Sequence, residues 1–494
     1  MAERLILVRL SGEISTKSNR VRRRFTEHLV DNMHDALRSV GVQQRIRNEW
    51  SRIFVEVDSV EPALDVLTRV FGIASCSPID RVTKPVLDEI VRVGEETYRD
   101  IVNGRRYAVR ARRSGRHPFS AQDVNVKLGA ALNPYGTVDL EQPDVTVHVE
   151  VRPQAAYLFH RIVPGPGGLP LGVEGRAVSL ISGGFDSAVA SWLMLKRGVE
   201  LEYVFCNLAG AAYERSVLLV ARLLATAWSY GSHPRIHVLD FEPLVKELRD
   251  KVKPQYLQVV LKRLMYRAAC RIAEHTGAHA VITGESVGQV SSQTLANLRS
   301  IDVVADYPVL RPVIAYNKDE IVRQAQWVGT YALSAVVQEY CALVPRHPVT
   351  AATPHGVDVA EQDVDLSLLD AAVRDRKVLF LRELSDADLV VPYLFTEEIP
   401  EDATVIDCRP QSQFEAWHYP GALHKDVDDL LVNYKQLPKD RTYVLYCMWG
   451  LQSAAVAEKM QRDGYQAYSF KGGVPALMRR VGADEKAPVD DRTP

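Results

Sequence analysis

Apolar and polar positions follow either the period of a strand or that of a helix, and the changes between them divide the chain into segments. Near the amino terminus, RLILVRL at 4–10 and IFVEV at 53–57 have the pattern of strands, and residues 19–39 have helical spacing. These three segments predict a small α+β unit over residues 1–60.

A second α/β layer is predicted over residues 61–165. Its predicted helices and strands follow one another at 86–102, 107–113, 120–132, 144–151 and 155–162. The next stretch, PGPGGLPLG at 164–172, is too rich in Pro and Gly for a helix or a strand and is expected to be a linker.

Residues 177–340 alternate strands and helices in the manner of a doubly wound parallel sheet. The predicted strands are AVSLI, LEYVFC, RIHVLDF and AVITG, with helices at 188–197, 214–228 and 255–276 between them. The pattern weakens at 345–395, so a connecting segment is expected to close a domain at 166–395. The strands ATVIDCR and TYVLYC, and a helix after Gln452, predict a smaller α/β domain at 396–482. The predicted fold class is therefore multidomain, α/β and α+β.

Composition excludes several classes of protein. Among 494 residues, 47% are hydrophobic and 25% are charged, which is typical of folded globular proteins. No apolar run approaches the roughly 18 to 20 residues that span a bilayer, and the opening apolar stretch is too short for a signal peptide, so a cytoplasmic protein without membrane contact is expected. The six cysteines show no CxxC pair, so neither a disulfide scaffold nor a metal site is predicted.

The net charge of -2 hides two blocks of opposite sign. Residues 105–116 hold six arginines and no acid, whereas residues 351–440 hold 8 Lys and Arg against 19 Asp and Glu. Such blocks suggest different partners at the two ends of the chain, although solvated faces explain them equally simply.

The hexapeptide SGGFDS at 182–187 lies between a predicted strand and a predicted helix. Its glycines permit a tight turn that brings backbone N–H groups to a helix amino terminus, where an anion is stabilised. The sequence has neither GxGxxG nor a Walker loop there. The hexapeptide resembles the pyrophosphatase loop (PP-loop) of enzymes that adenylate their substrates with ATP. That resemblance implies that Ser182, Gly183, Gly184 and Ser187 hold pyrophosphate, and that Asp186 acts through Mg²⁺.

Two later segments extend the resemblance to one family. These are VVLKRLMYRAA at 259–269 and ITGESVGQVSSQT at 282–294. Together with the hexapeptide they are similar to the adenylating domain of the tRNA 4-thiouridine synthetases. The resemblance implies nucleotide contacts for Leu180, Ile181, Lys262, Gly284 and Gln293, although Lys262 taken alone is equally well a surface lysine.

Cys447 ends the predicted strand TYVLYC and opens the loop CMWGLQ before a helix. Backbone N–H groups converging on such a loop favour a thiolate and can hold an anionic persulfide. The segments VIDCRPQSQFEAWHYPGALH at 405–424 and FKGGVPAL at 470–477 resemble the flanks of a rhodanese loop. Rhodanese loops often contain Arg or Lys, whereas this one has Trp449 and Gln452, so backbone amides alone would have to stabilise the sulfur.

The remaining cysteines differ in their surroundings. Cys76, Cys206, Cys270 and Cys408 are expected to pack in the core. By itself Cys341 would be assigned the same role. The tripeptide Glu339-Tyr340-Cys341, however, resembles a synthetase motif whose cysteine forms a transient disulfide with the rhodanese cysteine, and this implies a catalytic Cys341.

Arginines alternate with apolar residues in RRYAVRARRSGRHPFS at 105–120. Strand geometry puts Arg106, Arg110 and Arg112 on one side and Tyr107 on the other. An arginine face suits phosphate backbones, and a solvated basic face is the alternative. With FGI at 71–73 and PDVTVHVEV at 143–151, the segment resembles the THUMP RNA-binding domain, preceded by the ferredoxin-like unit found with it in these synthetases. The predicted RNA-binding residues are Lys17, Arg106, Arg110, Arg112, Arg113 and Arg116.

The four resemblances together imply an ATP-dependent tRNA sulfurtransferase. ATP would adenylate O4 of a uridine, position 8 of tRNA in the family, and a Cys447 persulfide loaded by a cysteine desulfurase would replace that oxygen with sulfur. A Cys341–Cys447 disulfide would then need an external reductant, and the rhodanese domain would also supply sulfur for the thiamine thiazole. The alternatives are an adenylating enzyme with another nucleophile, such as ammonia, and a non-catalytic RNA-binding or sulfur-carrier protein.

Overall fold

The structure, a computed structural model, describes residues 4–49, 52–208, 210–335, 347–389 and 391–482. Contacts within the chain define two compact units. The first holds residues up to Glu174 with the short stretches 195–199 and 227–232, and the second holds the rest. In the described part of the chain no helix is both long and apolar enough to cross a membrane.

The first unit contains two five-stranded sheets. In chain order its elements are β1 (Leu5–Leu10), α1 (Gly12–Ser15), α2 (Asn19–Ser39), β2 (Gln44–Glu49), β3 (Arg52–Val57), α3 (Val60–Leu67), β4 (Ile73–Pro78), β5 (Arg81–Thr83), α4 (Leu87–Val102), β6 (Arg106–Arg113), α5 (Ala121–Leu132), β7 (Thr137–Val138), β8 (Val145–Val151), β9 (Ala156–Phe159) and β10 (Val163–Pro164).

The first sheet is antiparallel, with strand order β10-β4-β1-β3-β2. Strand β1 is almost entirely buried because it pairs on both sides, placing Leu7 opposite Phe54 of β3 and Ser77 of β4. The expected division at residue 60 therefore falls inside this layer, since α3 and β4 follow it. The FGI segment at 71–73, assigned to the THUMP pattern from the sequence, leads into β4 of this first sheet.

The second sheet has the order β5-β9-β8-β6-β7. Strand β6 pairs in parallel with β8, and its apolar residues pack under α4 and α5 in a core that includes Tyr98, Tyr107 and Leu128. Arg106, Arg110 and Arg112 are exposed on the opposite side, as the alternation predicted, whereas Ala108 on that side is fully buried. One face of the sheet is therefore buried under the helices, and the other carries exposed arginines along β6 beside the buried Tyr157 and Phe159 of β9.

The second unit begins with a strand–helix alternation. Its elements, some of whose ends lie in the two short stretches of the first unit, are β11 (Arg176–Leu180), α6 (Phe185–Lys196), β12 (Glu200–Asn207), α7 (Ala211–Trp228), β13 (Arg235–Asp240), α8 (Glu242–Lys251), α9 (Leu257–Thr276), β14 (Val281–Ile282), α10 (Leu295–Asp302), β15 (Val309–Leu310), α11 (Lys318–Val328), α12 (Tyr331–Ser334), α13 (Pro354–Glu361), α14 (Ser367–Arg374) and β16 (Lys377–Phe380).

This six-stranded sheet has the order β15-β14-β11-β12-β13-β16. Five strands are parallel, and β12 is buried along nearly its whole length, as expected for a parallel strand covered on both faces. Strand β16 is antiparallel to β13, with Ile236 opposite Leu379. The segment expected at 345–395 to be only a connection therefore contributes an edge strand to the sheet.

A smaller parallel sheet follows in the same unit, with the order β17-β21-β20-β18-β19. Its elements are β17 (Phe395–Thr396), β18 (Thr404–Asp407), α15 (Gln411–Ala416), β19 (Leu423–His424), α16 (Val427–Asn433), β20 (Thr442–Tyr446), α17 (Leu451–Arg462), β21 (Gln466–Phe470) and α18 (Gly473–Val481). Short 3₁₀ turns occur at Pro254–Tyr256, Ser291–Gln293, Ala387–Leu389 and Tyr434–Gln436.

Candidate active site

The SGGFDS turn joins the carboxyl end of β11 to the amino terminus of α6. Helix α6 begins at Phe185, inside the motif and earlier than the sequence predicted. The Ser182 backbone N–H donates to Ser187 Oγ over 3.0 Å, and Gly184 N–H donates to Ser182 Oγ over 3.3 Å. These hydrogen bonds fix a tight loop at a helix amino terminus, which is the arrangement that binds phosphate.

Gly284, just after β14, touches the backbone of this loop. A Cβ atom there would lie 2.4 Å from the Ser187 nitrogen and 2.5 Å from the Asp186 carbonyl carbon. Only glycine permits so close an approach between two backbones. The contact ties the ITGES segment to the hexapeptide, although about a hundred residues separate them in sequence.

A cavity of about 220 Å³ opens beside the loop. Eight of the predicted nucleotide residues line it: Leu180, Ile181, Ser182, Asp186, Ser187, Lys262, Gly284 and Gln293. Tyr213 of α7 also lines it, together with Tyr266 and Glu285, none of which the sequence analysis had singled out. A cavity lined by apolar and aromatic side chains with a few polar and charged groups is typical of a small-molecule site.

Lys262 belongs to a buried polar network and not to the surface. Its Nζ lies 2.6 Å from Oε1 of Glu285, whose other oxygen accepts a hydrogen bond from Tyr266 Oη at 2.5 Å and pairs with Arg311 at 2.8 Å. Burial disfavours the Glu285 carboxylate, but Lys262 and then Tyr266 and Arg311 outweigh burial and lower the pKa of Glu285 to about 2. The network therefore fixes the Glu285 carboxylate and the Lys262 cation at the cavity wall, and Arg311 holds the carboxylate from outside the lining.

Asp186 faces two side chains that come from later in the chain. Lys318 Nζ, at the start of α11, lies 3.2 Å from its carboxylate, and Gln289 Nε2 donates to it over 3.1 Å. Lys318 was not predicted, because a lysine at a helix start carries no distinctive sequence signal. Among the described residues no cluster of three His, Cys, Asp or Glu side chains is placed to hold a metal ion.

Cys447 follows β20 at the carboxyl edge of the smaller sheet. Gly450, with φ 75°, ends the short loop, and α17 begins directly after it. The cysteine is 2% exposed, and Ser453 Oγ donates to its sulfur over 3.4 Å. The loop backs onto Gly473, where a Cβ would lie 2.4 Å from the Met448 carbonyl oxygen. The flanking FKGG motif therefore shapes the cysteine loop.

The other rhodanese-like residues lie around the cysteine loop and stabilise it. Arg409 and Asp407 make a fully buried ion pair at 2.6 Å, and His424 Nε2 lies 2.7 Å from the Arg409 carbonyl oxygen. Burial raises the pKa of the Cys408 thiol well above its ordinary value, which agrees with the packing role predicted for it. Cys341, predicted to be catalytic, lies outside the described residues.

The predicted RNA-binding arginines differ in how much of their charge is free. Arg106 pairs with Asp144 at 2.8 Å and with Asp139 at 3.4 Å, so its charge is largely compensated. Arg110 and Arg112 instead line a cavity of about 590 Å³ with Arg9 and His148. Burial, helped by these three arginines, lowers the pKa of His148 to about 4. Three arginines against one lining carboxylate, that of Glu150, leave the cavity cationic.

The remaining predicted RNA-binding residues lie outside this cavity. Arg113 donates to the His117 carbonyl oxygen, Arg116 is exposed, and Lys17 lies 5.9 Å from the centre of the Phe25 ring. Arg9, from the first sheet, was missed because a single arginine in an apolar strand gives no signal.

Comparison with known proteins finds the same four modules in the same order. The chain matches models of the ThiI ferredoxin-like domain over 5–77, the THUMP domain over 84–161, the thiamine biosynthesis protein (ThiI) family over 172–366, and the rhodanese-like domain over 394–479. The predicted fold class is thereby confirmed.

Curated relatives and a solved structure extend the similarity to almost the full length. A tRNA sulfurtransferase of Pyrobaculum aerophilum is 38% identical, over 94% of this chain and 96% of its own, and one of Shigella dysenteriae is 34% identical, over 93% and 98%. A crystal structure of a 4-thiouridine synthetase–RNA complex with bound ATP is 33% identical, covers 76% of this chain and 99% of its own, and has a TM-score of 0.68. At this identity over nearly its whole length, the chain belongs to the tRNA sulfurtransferase family.

Proposed function

We propose that the protein is an ATP-dependent tRNA sulfurtransferase that makes 4-thiouridine. The observation that carries the proposal is the presence, in one compact unit, of a phosphate-binding loop beside a cavity and of a cysteine in a rhodanese-type loop. The first can activate a nucleobase with ATP, and the second can carry sulfur. The ATP and RNA in the similar solved complex support both substrates.

In the first half-reaction, O4 of the uracil attacks the α-phosphorus of ATP and pyrophosphate leaves. Ser182, Gly183, Gly184 and Ser187 hold the departing pyrophosphate, and Lys262 supplies positive charge at the cavity wall. Leu180, Ile181, Gly284 and Gln293 contact the remainder of the nucleotide. Mg²⁺ would be held by Asp186 and would neutralise phosphate charge; one carboxylate suits a cation that otherwise binds phosphate and water.

In the second half-reaction, Cys447 carries a sulfane sulfur taken from a cysteine desulfurase persulfide. The terminal sulfur forms a bond to C4 and AMP leaves, after which Cys341 attacks Cys447 Sγ and breaks the S–S bond. The products are 4-thiouridine and a Cys341–Cys447 disulfide, which an external reductant returns to two thiols with two electrons and two protons. In an alternative form of this step, the sulfur is released as sulfide first, and the sulfide then attacks C4.

The tRNA is expected to bind through the cationic face of β6, with Lys17 adding charge. By the family resemblance the target is uridine 8, and the same Cys447 persulfide serves thiazole synthesis for thiamine. We place these reactions in the cytoplasm, where tRNA and cysteine desulfurases act.

The test is a complete reaction with purified protein, cysteine desulfurase, cysteine, Mg·ATP, a reductant and a tRNA transcript. Mass spectrometry of the digested transcript should show 4-thiouridine, and AMP should form only with tRNA present. An adenylating enzyme that uses ammonia would form AMP without thiolation. A pure sulfur carrier would transfer sulfur to a small acceptor without ATP, and either result would contradict the proposal.

A further inference from the structure

The amino terminus of α7 is covered by the rhodanese-like domain. The Glu458 carboxylate of α17 accepts hydrogen bonds from the backbone N–H groups of Ala211 and Ala212, at 2.9 and 2.8 Å. A helix start has unpaired N–H groups and a positive partial charge, so a carboxylate from outside the helix satisfies both. Ala212 belongs to the same buried cluster as Cys447. The first turn of α7 therefore reaches the domain that carries the reactive sulfur.

One turn further along α7, Arg215 extends toward the cysteine loop. Its Nε donates to the Leu389 carbonyl oxygen over 3.0 Å, and its guanidinium carbon lies 4.9 Å from the centre of the Phe395 ring. That ring borders the loop, since its Cε1 lies 3.8 Å from the position of a Cβ on Gly450. Arg215 Nη1 is buried and finds no hydrogen-bond acceptor among the described residues. A buried guanidinium N–H without an acceptor is costly and suits an anion.

The charges around Arg215 agree with this geometry. Burial lowers the pKa of Arg215, and the nearby Cys447 sulfur and the Asp386 carboxylate act in the opposite direction. The loop from Cys447 to Gln452 has no basic residue. The described structure thus brings a cation from α7, which belongs to the adenylating core, to the Gly450 edge of the cysteine loop, within electrostatic reach of the sulfur.

We infer that Arg215 supplies the positive charge that the Cys447 loop lacks, by binding the anionic sulfur of Cys447 while the rhodanese-like domain is docked on α7. This inference rests on the proposed function, in which Cys447 carries sulfur. The thiolate that accepts sulfur, and the persulfide anion that it becomes, are then stabilised by another domain. The reactivity of Cys447 consequently depends on docking.

The test is a pH titration of Cys447 in the full chain. Thiolate formation is followed by ultraviolet absorbance, as the difference between each protein and the same protein with Cys447→Ser. Arg215→Gln should lower the thiolate fraction of Cys447 at neutral pH roughly tenfold, because a nearby cation is lost. Arg215→Lys should retain most of the effect. An unchanged titration in Arg215→Gln would overturn the inference.

Arg222→Gln is the matched control. Arg222 lies on the same helix and pairs with Asp386 at 2.8 Å, so its loss also removes a charge and an ion pair from α7. The Cys447 titration should not change in this variant. If Arg215→Lys behaved like Arg215→Gln, Arg215 would act only as an anchor for Leu389, and the inference would be wrong.

Glu458→Gln keeps Arg215 but weakens docking, and it should lower the thiolate fraction of Cys447 as Arg215→Gln does. This variant tests the inference independently if Arg215→Gln folds poorly, and a titration equal to wild type would contradict it. Mass spectrometry of the wild-type chain after reaction with desulfurase and cysteine separates the two proposals. If wild-type Cys447 acquires no sulfur, the proposed function itself is refuted. If wild type is loaded normally but wild type and Arg215→Gln give the same Cys447 titration, only the role of Arg215 is refuted.

Discussion

At the scale of single residues, Glu285 shows how a buried carboxylate ties stability to pH. Its partners Lys262 and Tyr266 lie one turn apart on α9, Arg311 follows β15, and all three favour the ionised form over burial. The carboxylate therefore contributes stability only when it is charged.

We expect acid to weaken the fold partly through Glu285. Its pKa is about 2 in the fold and about 4.5 in an unfolded chain, so its contribution is complete above pH 4.5 and is lost as pH falls toward 2. Between pH 7 and pH 3 this corresponds to about 2 kcal/mol. The free energy of unfolding, measured in urea, should differ less between pH 7 and pH 3 for Glu285→Gln than for wild type. An equal difference would show that the carboxylate is not stabilised in this way.

Gly284 permits a second prediction at this scale. Because a Cβ would meet the Asp186 and Ser187 backbone, Gly284→Ala should displace the phosphate loop and reduce tRNA-dependent AMP formation roughly 100-fold. Gly129→Ala is the control, since a Cβ at Gly129 meets no atom within 4 Å. Normal AMP formation by Gly284→Ala would mean that the loop position is not critical.

At the scale of elements, functional groups gather where elements end. The carboxyl ends of β11 and β14 and the amino termini of α6 and α11 bring Asp186 and Lys318 together. In a parallel sheet, strand ends and helix starts share one edge, so residues remote in sequence converge there.

Lys318 is expected to act with Asp186 in adenylation. Lys318→Gln should lower AMP formation roughly 100-fold, because the proposed mechanism places the phosphates beside Asp186 and the fixed charge that Lys318 holds there is lost. Sulfur loading of Cys447 should persist. Lys377→Gln, which removes an exposed ion pair with Glu214, is the control and should retain AMP formation. Loss of both half-reactions in Lys318→Gln would indicate misfolding instead.

Strand β6 yields a prediction about RNA. Arg110→Gln and Arg112→Gln should each weaken tRNA binding and reduce the slope of log affinity against log salt by about 1, as expected for a lost phosphate contact. Arg106→Gln should have a smaller effect, because Asp144 and Asp139 already compensate its charge. Filter binding over a range of salt concentrations measures these slopes, and equal slopes for all three variants would contradict the ranking.

At the scale of the whole molecule, the proposed mechanism makes adenylation and sulfur loading separate half-reactions that meet on one base. Cys447→Ala should form AMP with tRNA but no 4-thiouridine, and Asp186→Ala should load sulfur but form no AMP. Mixing these two variants should not restore thiolation if one chain performs both steps. Restored thiolation in the mixture would mean that sulfur passes between chains.

In the proposed mechanism, Cys341 completes the cycle by forming the disulfide with Cys447. Cys341→Ser should abolish multiple turnovers, because the S–S bond to Cys447 is no longer resolved by an internal thiol. Nucleoside analysis against time measures the number of turnovers per enzyme. Full turnover by Cys341→Ser without added reductant would show that the disulfide step is wrong.

The sequence by itself determined the modules and the local chemistry. Hydrophobic periodicity predicted most strands and helices. SGGFDS, the Cys447 loop and the arginine alternation of β6 indicated the three candidate sites, because turns, strand ends and strand faces depend on residues that are close in sequence. It was less informative at residues 61–78 and 377–380, whose strands are defined by pairing with distant partners.

Tertiary structure alone decided which distant charges meet. Four pairs have no signal in the sequence: Lys318 beside Asp186, Glu285 beside Lys262, Arg9 beside Arg112, and Arg215 beside Phe395 at the cysteine loop. A lone Lys, Arg or Glu has the same local pattern on a solvated face as in a buried site. Only packing of remote segments removes water around such groups, and that desolvation makes their charges act on one another.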